Sequence, residues 1–201
     1  MGLIWHVRLV LSQRKRNKMM MKFSLVLTFC LIGFSSMGQL FMAQNGEVSF
    51  FSKTPLEDID ATNKQVSSII NTANNEVAVQ MRVTQFTFPN KLMQEHFNEN
   101  YMESDKYTDA RFSGKVNEDI DWKKDGVNNV TVTGKLTIHG VDKDRTIPGV
   151  ITVKNGVISI SSKFDVTCKE HGIKIPTMLA EKVAEVVSIN VSGIYAPYVK
   201  K

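Results

Sequence analysis

Apolar and polar residues alternate along most of the chain beyond residue 45. In Glu76-Val-Ala-Val-Gln-Met-Arg-Val83, the residues Val77, Val79, Met81 and Val83 share one phase, while Glu76, Gln80 and Arg82 share the other. Asn129 to Gly140 sets Val130, Val132, Leu136 and Ile138 against Thr131, Thr133, Lys135, Thr137 and His139. Val157 to Cys168 opposes Ile158, Ile160, Phe164 and Val166 to Ser159, Ser161, Lys163 and Asp165. Near the end, Val187, Ile189, Val191 and Tyr195 oppose Ser188, Asn190 and Ser192. A period of two puts successive side chains on opposite faces, so each stretch predicts a strand with one dry and one wet face.

Turn residues join these strands in antiparallel order. Asn155-Gly156 stands between Ile151-Thr-Val153 and Val157-Ile-Ser, a strong short hairpin signal because both residues tolerate positive φ. Thr72-Ala-Asn-Asn75 links Gln65–Asn71 to the Val77 strand, and Asp125-Gly126 precedes the Val130 strand. With Val48–Phe51, Ala110–Val116 and Thr146–Val153 the sequence predicts about eight strands, several of them long. That number suits an all-β, lipocalin-like antiparallel barrel, whose closure removes exposed edges; a two-layer sandwich is the alternative. Two short helices interrupt the strands. Asn90 to Tyr101 has a capping asparagine and Met93, Phe97 and Tyr101 at helical spacing; Pro176 to Ala184 opens on a proline suited to a first turn.

Charge changes the picture at the N-terminus. Arg8, Arg14, Lys15, Arg16, Lys18 and Lys22 precede residue 39 and no Asp or Glu does, so 19 of the 25 basic residues remain beyond it, against 20 acidic ones. The surplus positive charge belongs to the leader, and a nucleic-acid-binding surface is not supported. Phe23 to Gly46 carries no charge, and the apolar run Phe23–Phe34 follows the basic stretch. A basic segment, an apolar segment and small Ser36 and Gly38 predict a secretory signal cleaved near Gly38-Gln39, with the boundary in the interval 38–44. Residues 1–43 are then leader and signal peptide, and 44–201 the barrel domain. Met19, Met20 and Met21 are alternative starts. An uncleaved anchor is the rival reading, and Cys30 raises a lipoprotein reading that bulky Phe29 disfavours. Membrane contact is therefore expected to be transient or through an uncleaved leader, and the location periplasmic or secreted.

Candidate chemistry is sparse. If Cys30 leaves with the leader, only Cys168 remains, in the apolar phase of its strand, a packing residue rather than a nucleophile. His96, His139 and His171 stand at no zinc-ligand spacing and read as partly exposed histidines. Asp142 and Asp144 read as a turn without the Gly and Glu of a calcium loop, and Glu95, Glu99 and Glu103 as a solvated helix face. No serine is flanked as in a nucleophile elbow. Neither a metal nor a cofactor is expected, and catalytic residues are not assigned. Composition does not separate a packed interior from a hollow one; on the residues alone the packed interior is the plainer reading.

One set of motifs adds to this. Leu92-Met-Gln-Glu-His-Phe-Asn-Glu-Asn-Tyr-Met-Glu-Ser-Asp-Lys-Tyr107 followed by Ala110-Arg-Phe-Ser-Gly114, then Gly134-Lys-Leu-Thr-Ile-His-Gly-Val141, then Gly172-Ile-Lys-Ile-Pro176, resemble in order the signatures of the YceI-like polyisoprenoid-binding family. Gly46-Glu-Val-Ser-Phe-Phe-Ser52 is similar to its first strand, and the resemblance spans residues 44 to 198. Thr108 departs from the proline usual after Lys-Tyr. The resemblance implies a lipocalin-like barrel whose long pocket takes an isoprenoid, an isoprenoid quinone or a similar amphiphile. It also implies an envelope protein that is non-enzymatic, often a homodimer and commonly stress-linked. The candidate wall is Val77, Val79, Met81, Phe112, Val132, Leu136, Ile138, Ile160, Phe164, Ile189 and Val191. Phe86, Phe88, Leu92, Met93 and Phe97 are the candidate mouth, and Arg111, His139 and His171 candidates for a polar head group. Two competing functions remain: a small-barrel enzyme with His139 or His171 as base, and a packed interaction module.

Overall fold

The computed structural model describes residues 39–176 and 181–198, which belong to the compact unit Gly38–Lys201. Residues 1–38 of the expected leader, with the signal peptide and its alternative starts, and residues 177–180 of the expected second helix fall outside the described residues; Glu181 and Lys182, within that expected helix, form a turn. Nine strands follow in order: β1 (Leu40–Ala43), β2 (Gly46–Lys53), β3 (Asp58–Asn71), β4 (Glu76–Arg82), β5 (Asp109–Val116), β6 (Gly126–Ile138), β7 (Val141–Lys154), β8 (Val157–Thr167) and β9 (Val186–Pro197). Strands β2 to β9 pair each with the next, antiparallel throughout, and β9 pairs back to β2. The result is a closed eight-stranded up-and-down barrel with one added strand. No described helix is long and apolar enough to cross a membrane.

The added strand is β1. It pairs with the far ends of β3 and β9, beyond the reach of β2, so that β1 and β2 together fill one slot. Gln44 and Asn45 join them: the Gln44 N–H donates to the Ile194 carbonyl at 2.8 Å, and Asn45 Oδ1 accepts from the Ile194 N–H at 2.9 Å. The barrel thus takes in Leu40–Ala43, which lie inside the interval 38–44 expected to hold the cleavage site. Four residues are too few to show a period.

Expected turns form where the sequence places them. Asn155 and Gly156 adopt φ of 50° and 75°, and Asn75 closes the β3–β4 turn at φ 61°. The β6–β7 turn is His139-Gly140, both at positive φ, so Asp142 and Asp144 lie in β7 rather than in a turn. Asn90 caps α1 (Lys91–His96), its side chain accepting from the Leu92 N–H at 2.9 Å. The chain then widens into a π-turn over Phe97–Tyr101. Glu103 stands past its end at φ 42°, so it is not on the helix with Glu95 and Glu99, though all three carboxylates are exposed as expected.

Gly114 and Gly134 are direct partners on β5 and β6, both in the inward phase. A Cβ on Gly134 would lie 2.4 Å from Gly114 Cα, so only glycine allows the two backbones to come this close. The Phe112 ring lies over Gly114 and fills the space its missing side chain leaves.

Candidate functional site

The barrel is closed at one end and hollow above it. Phe41, Ile70, Val116, Ile120 and Ile158 are buried in a plug at the closed end, with Trp122 packed on it and donating to Asn75 Oδ1 at 2.8 Å. On this plug rest Val77, Val130, Ile151 and Tyr195, which form the floor of a cavity of about 490 Å³. The Tyr195 hydroxyl donates to Ser68 Oγ at 2.7 Å, and Ser68 to the Ala78 carbonyl at 3.0 Å, so the one large polar group of the floor is satisfied within the wall. Burial pushes the Tyr195 phenol up, and the Ser68 bond pulls it back.

Every candidate wall residue lines this cavity: Val77, Val79 and Met81 from β4, Phe112 from β5, Val132, Leu136 and Ile138 from β6, Ile160 and Phe164 from β8, and Ile189 and Val191 from β9. Val77 and Leu136 are buried, while the others keep part of their surface although their strand phase points inward. A packed core would have removed that surface. The interior is hollow, against the plainer reading of composition.

The candidate mouth residues also line the cavity. Phe86 and Phe88 are buried, Met93 and Phe97 half-buried, and Leu92 exposed. Phe50, Phe86, Phe88 and Phe97 make one aromatic cluster, with Phe50 and Phe97 stacked at 5.4 Å between centroids. Phe50 was not singled out in the sequence; its signal is the inward phase of Val48, Phe50 and Ser52, masked by adjacent Phe51. Ile147 and Ile151 of β7 line the cavity and were likewise missed. Polar lining is confined to a few side chains, among them Asn90, His96 and Lys182, all exposed.

The head-group candidates lie differently. Arg111 borders the cavity, but its side chain is exposed in the outward phase of β5. His139 and His171 are not part of the lining, and both are buried rather than partly exposed. His139 Nε2 is 2.9 Å from Glu103 Oε2, its Nδ1 is 3.2 Å from the His171 carbonyl, and its ring packs on Tyr107. His171 Nδ1 is 3.2 Å from the Val141 carbonyl, while its Nε2 has no hydrogen-bond partner among the described residues. Burial pushes the His171 imidazole below its ordinary value, against the pull of the Val141 and Ile138 carbonyls. Neither histidine is among the residues that border the cavity. A Cβ on Gly140 would sit 2.5 Å from Tyr107 Cε1. The first two motif stretches and His171, which directly precedes the third, therefore meet in one cluster at the β6–β7 turn.

Cys168 lines the cavity, is buried, and has a thiol pushed up by burial, as suits a packing residue. Among the described residues no group of three or more His, Cys, Asp or Glu is placed to hold a metal ion. The site can take an apolar chain, each buried CH₂ contributing about 0.8 kcal/mol.

The family model of the YceI-like domain matches residues 34–194. No curated protein matches the sequence. Similar solved structures include BcnA of Burkholderia cenocepacia, 19% identical with a TM-score of 0.64, the match covering 75% of this chain and 96% of that one. A polyisoprenoid binding domain from Saccharophagus degradans, implicated in plant cell wall breakdown, is 13% identical with a TM-score of 0.68, covering 80% and 99%. The YCEI protein of Campylobacter jejuni is 20% identical with a TM-score of 0.54, covering 69% and 84%. At these identities the likeness is one of fold.

Proposed function

This chain belongs to the YceI-like domain family, and on that footing we propose that it holds a long apolar amphiphile, such as a polyisoprenoid or an isoprenoid quinone, tail inward in its barrel. The observation that carries the reading is the blind, almost wholly apolar cavity between the Tyr195 floor and the Phe97 mouth. A blind cavity admits one end of a ligand only. The tail reaches the floor, and a polar head stays at the mouth, where Asn90, His96 and Lys182 interrupt the apolar lining. The similar domain from Saccharophagus degradans is described as polyisoprenoid binding, which supports the same ligand class here.

The proposal extends to export, to a carrier or sequestering role that can serve stress responses, and to binding without turnover. Support for export is the basic and apolar leader before residue 39. Cleavage after Gly38 leaves β1 in place, whereas cleavage after Ala43 removes it. N-terminal sequencing of the protein recovered from its host reads the site, and a mature N-terminus upstream of Phe23 overturns export by this signal. For the ligand, native mass spectrometry of host-purified protein followed by organic extraction is the test. Recovery of an isoprenoid or other long-chain amphiphile supports the reading; an empty protein whose crystal shows a packed barrel overturns it.

A further inference from the structure

Successive residues of an antiparallel strand turn their backbone groups alternately to the two neighbouring strands. Thr131 turns its N–H to Glu118 Oε2 at 2.8 Å and its carbonyl to the Asn117 N–H at 2.9 Å, both just past β5. Its partner on β7 is Pro148, which therefore directs its nitrogen and carbonyl toward β8. A proline nitrogen carries no hydrogen. The β7–β8 ladder accordingly ends one residue away, at the Gly149–Ser162 pair, and Ser162 Oγ donates to the Pro148 carbonyl at 2.6 Å. Beyond this point Val141–Pro148 pair only with β6, and Lys163–Thr167 only with β9.

The gap is filled by side chains and by the turn Cys168–His171 that follows β8. Arg145 reaches from β7 to the Asp165 carbonyl on β8 and to Glu170 Oε2 at 3.3 Å. His171 docks on Val141, and its own carbonyl meets His139. Ile147, Phe164 and Val166 border the seam and line the cavity, as does Cys168. The seam thus runs from the mouth down to Pro148, and side-chain contacts replace the backbone ladder along it.

We propose that this seam is a lateral gate: displacement of the Cys168–His171 turn splits the wall between β7 and β8 and widens the mouth for a ligand to enter and leave. The inference rests on the barrel holding an amphiphile. Opening the wall elsewhere breaks ladder hydrogen bonds, and leaving past the mouth disperses four packed phenylalanines. Local openings draw on weakly tied elements, and across the seam this turn is held by side chains, Arg145 with Glu170 and the two histidines, besides the Cys168 N–H bond to the Glu185 carbonyl at 2.8 Å.

The test uses the full chain carrying Cys30→Ser, so that Cys168 is the remaining thiol. Iodoacetamide labelling of Cys168 under native conditions reads opening of the turn, and stopped-flow fluorescence of cis-parinaric acid reads ligand exchange. In Arg145→Ala, which removes a charged hydrogen bond across the seam, labelling and probe release both quicken about tenfold, with equilibrium affinity unchanged. Pro148→Thr, which supplies an N–H on the β8 side, slows both. Release that is the same in all three proteins while the probe binds overturns the gate, as does labelling no faster than global unfolding. A chain that gives no equilibrium fluorescence change with the probe fails the lipid-binding reading and the gate together.

Discussion

His139 Nε2 lies 2.9 Å from Glu103 Oε2 although the two residues are 36 positions apart. Through its other nitrogen the same ring meets the His171 carbonyl, so one side chain joins the segment after α1, the β6–β7 turn and the turn after β8. Glu103→Ala leaves His139 Nε2 buried without its acceptor, and the expected loss is about 1–2 kcal/mol. Glu103→Gln keeps an acceptor oxygen and loses less. Urea unfolding of the two variants ranks them, and equal losses would deny the bond a role.

His171 makes stability depend on pH. Burial holds its imidazole below the ordinary value of 6.5, with Glu170 pulling it up and Arg145 pulling it down. A depressed histidine is neutral in the fold and protonates more readily once unfolded. Its contribution is therefore fully present above pH 6.5 and is lost as pH falls through the folded value. The urea midpoint of the parent falls between pH 7 and pH 5, and His171→Gln, which does not titrate, shows a smaller fall. An equal fall in both proteins assigns the effect to other groups.

Filling the cavity separates stability from binding. Ile160 lines the hollow mid-barrel and is only half-buried. Ile160→Phe extends into empty space, so it retains or raises the melting temperature by burying added apolar area, worth about 1 kcal/mol. Affinity for cis-parinaric acid falls at least about tenfold, one such step being about 1.4 kcal/mol. A packed interior would give the reverse pattern: lower stability and no change in binding.

Gly134→Ala tests the close approach of β5 and β6. The added Cβ would meet the Ser113 carbonyl oxygen and Gly114 Cα, both backbone atoms that cannot rotate away. The expected cost is about 3 kcal/mol. Gly126→Ala meets nothing within 4 Å and serves as the neutral comparison in the same thermal scan.

The alternation of Val77, Val79 and Met81, or of Ile158, Ile160 and Phe164, is a local property of extended backbone. It identified the strands and the inward face without knowledge of any partner. Asn155-Gly156 and the Asn90 cap were legible for the same reason, since each acts within three or four residues. Beyond that range the sequence fell silent. It did not show β1, because Leu40–Ala43 spans only two periods and becomes a strand only in the slot between β3 and β9. His139 and His171 read as partly exposed because their burial depends on Glu103 and Val141, which the closed barrel brings to them. Pro148 showed no break, because the neighbour its nitrogen faces follows from register with Thr131. Hollowness was decided last of all: the same inward residues could pack or line, and the choice depends on how eight strands close around glycines such as Gly114 and Gly134. The chain's own pattern determined which faces are apolar, and closure decided that those faces surround a space.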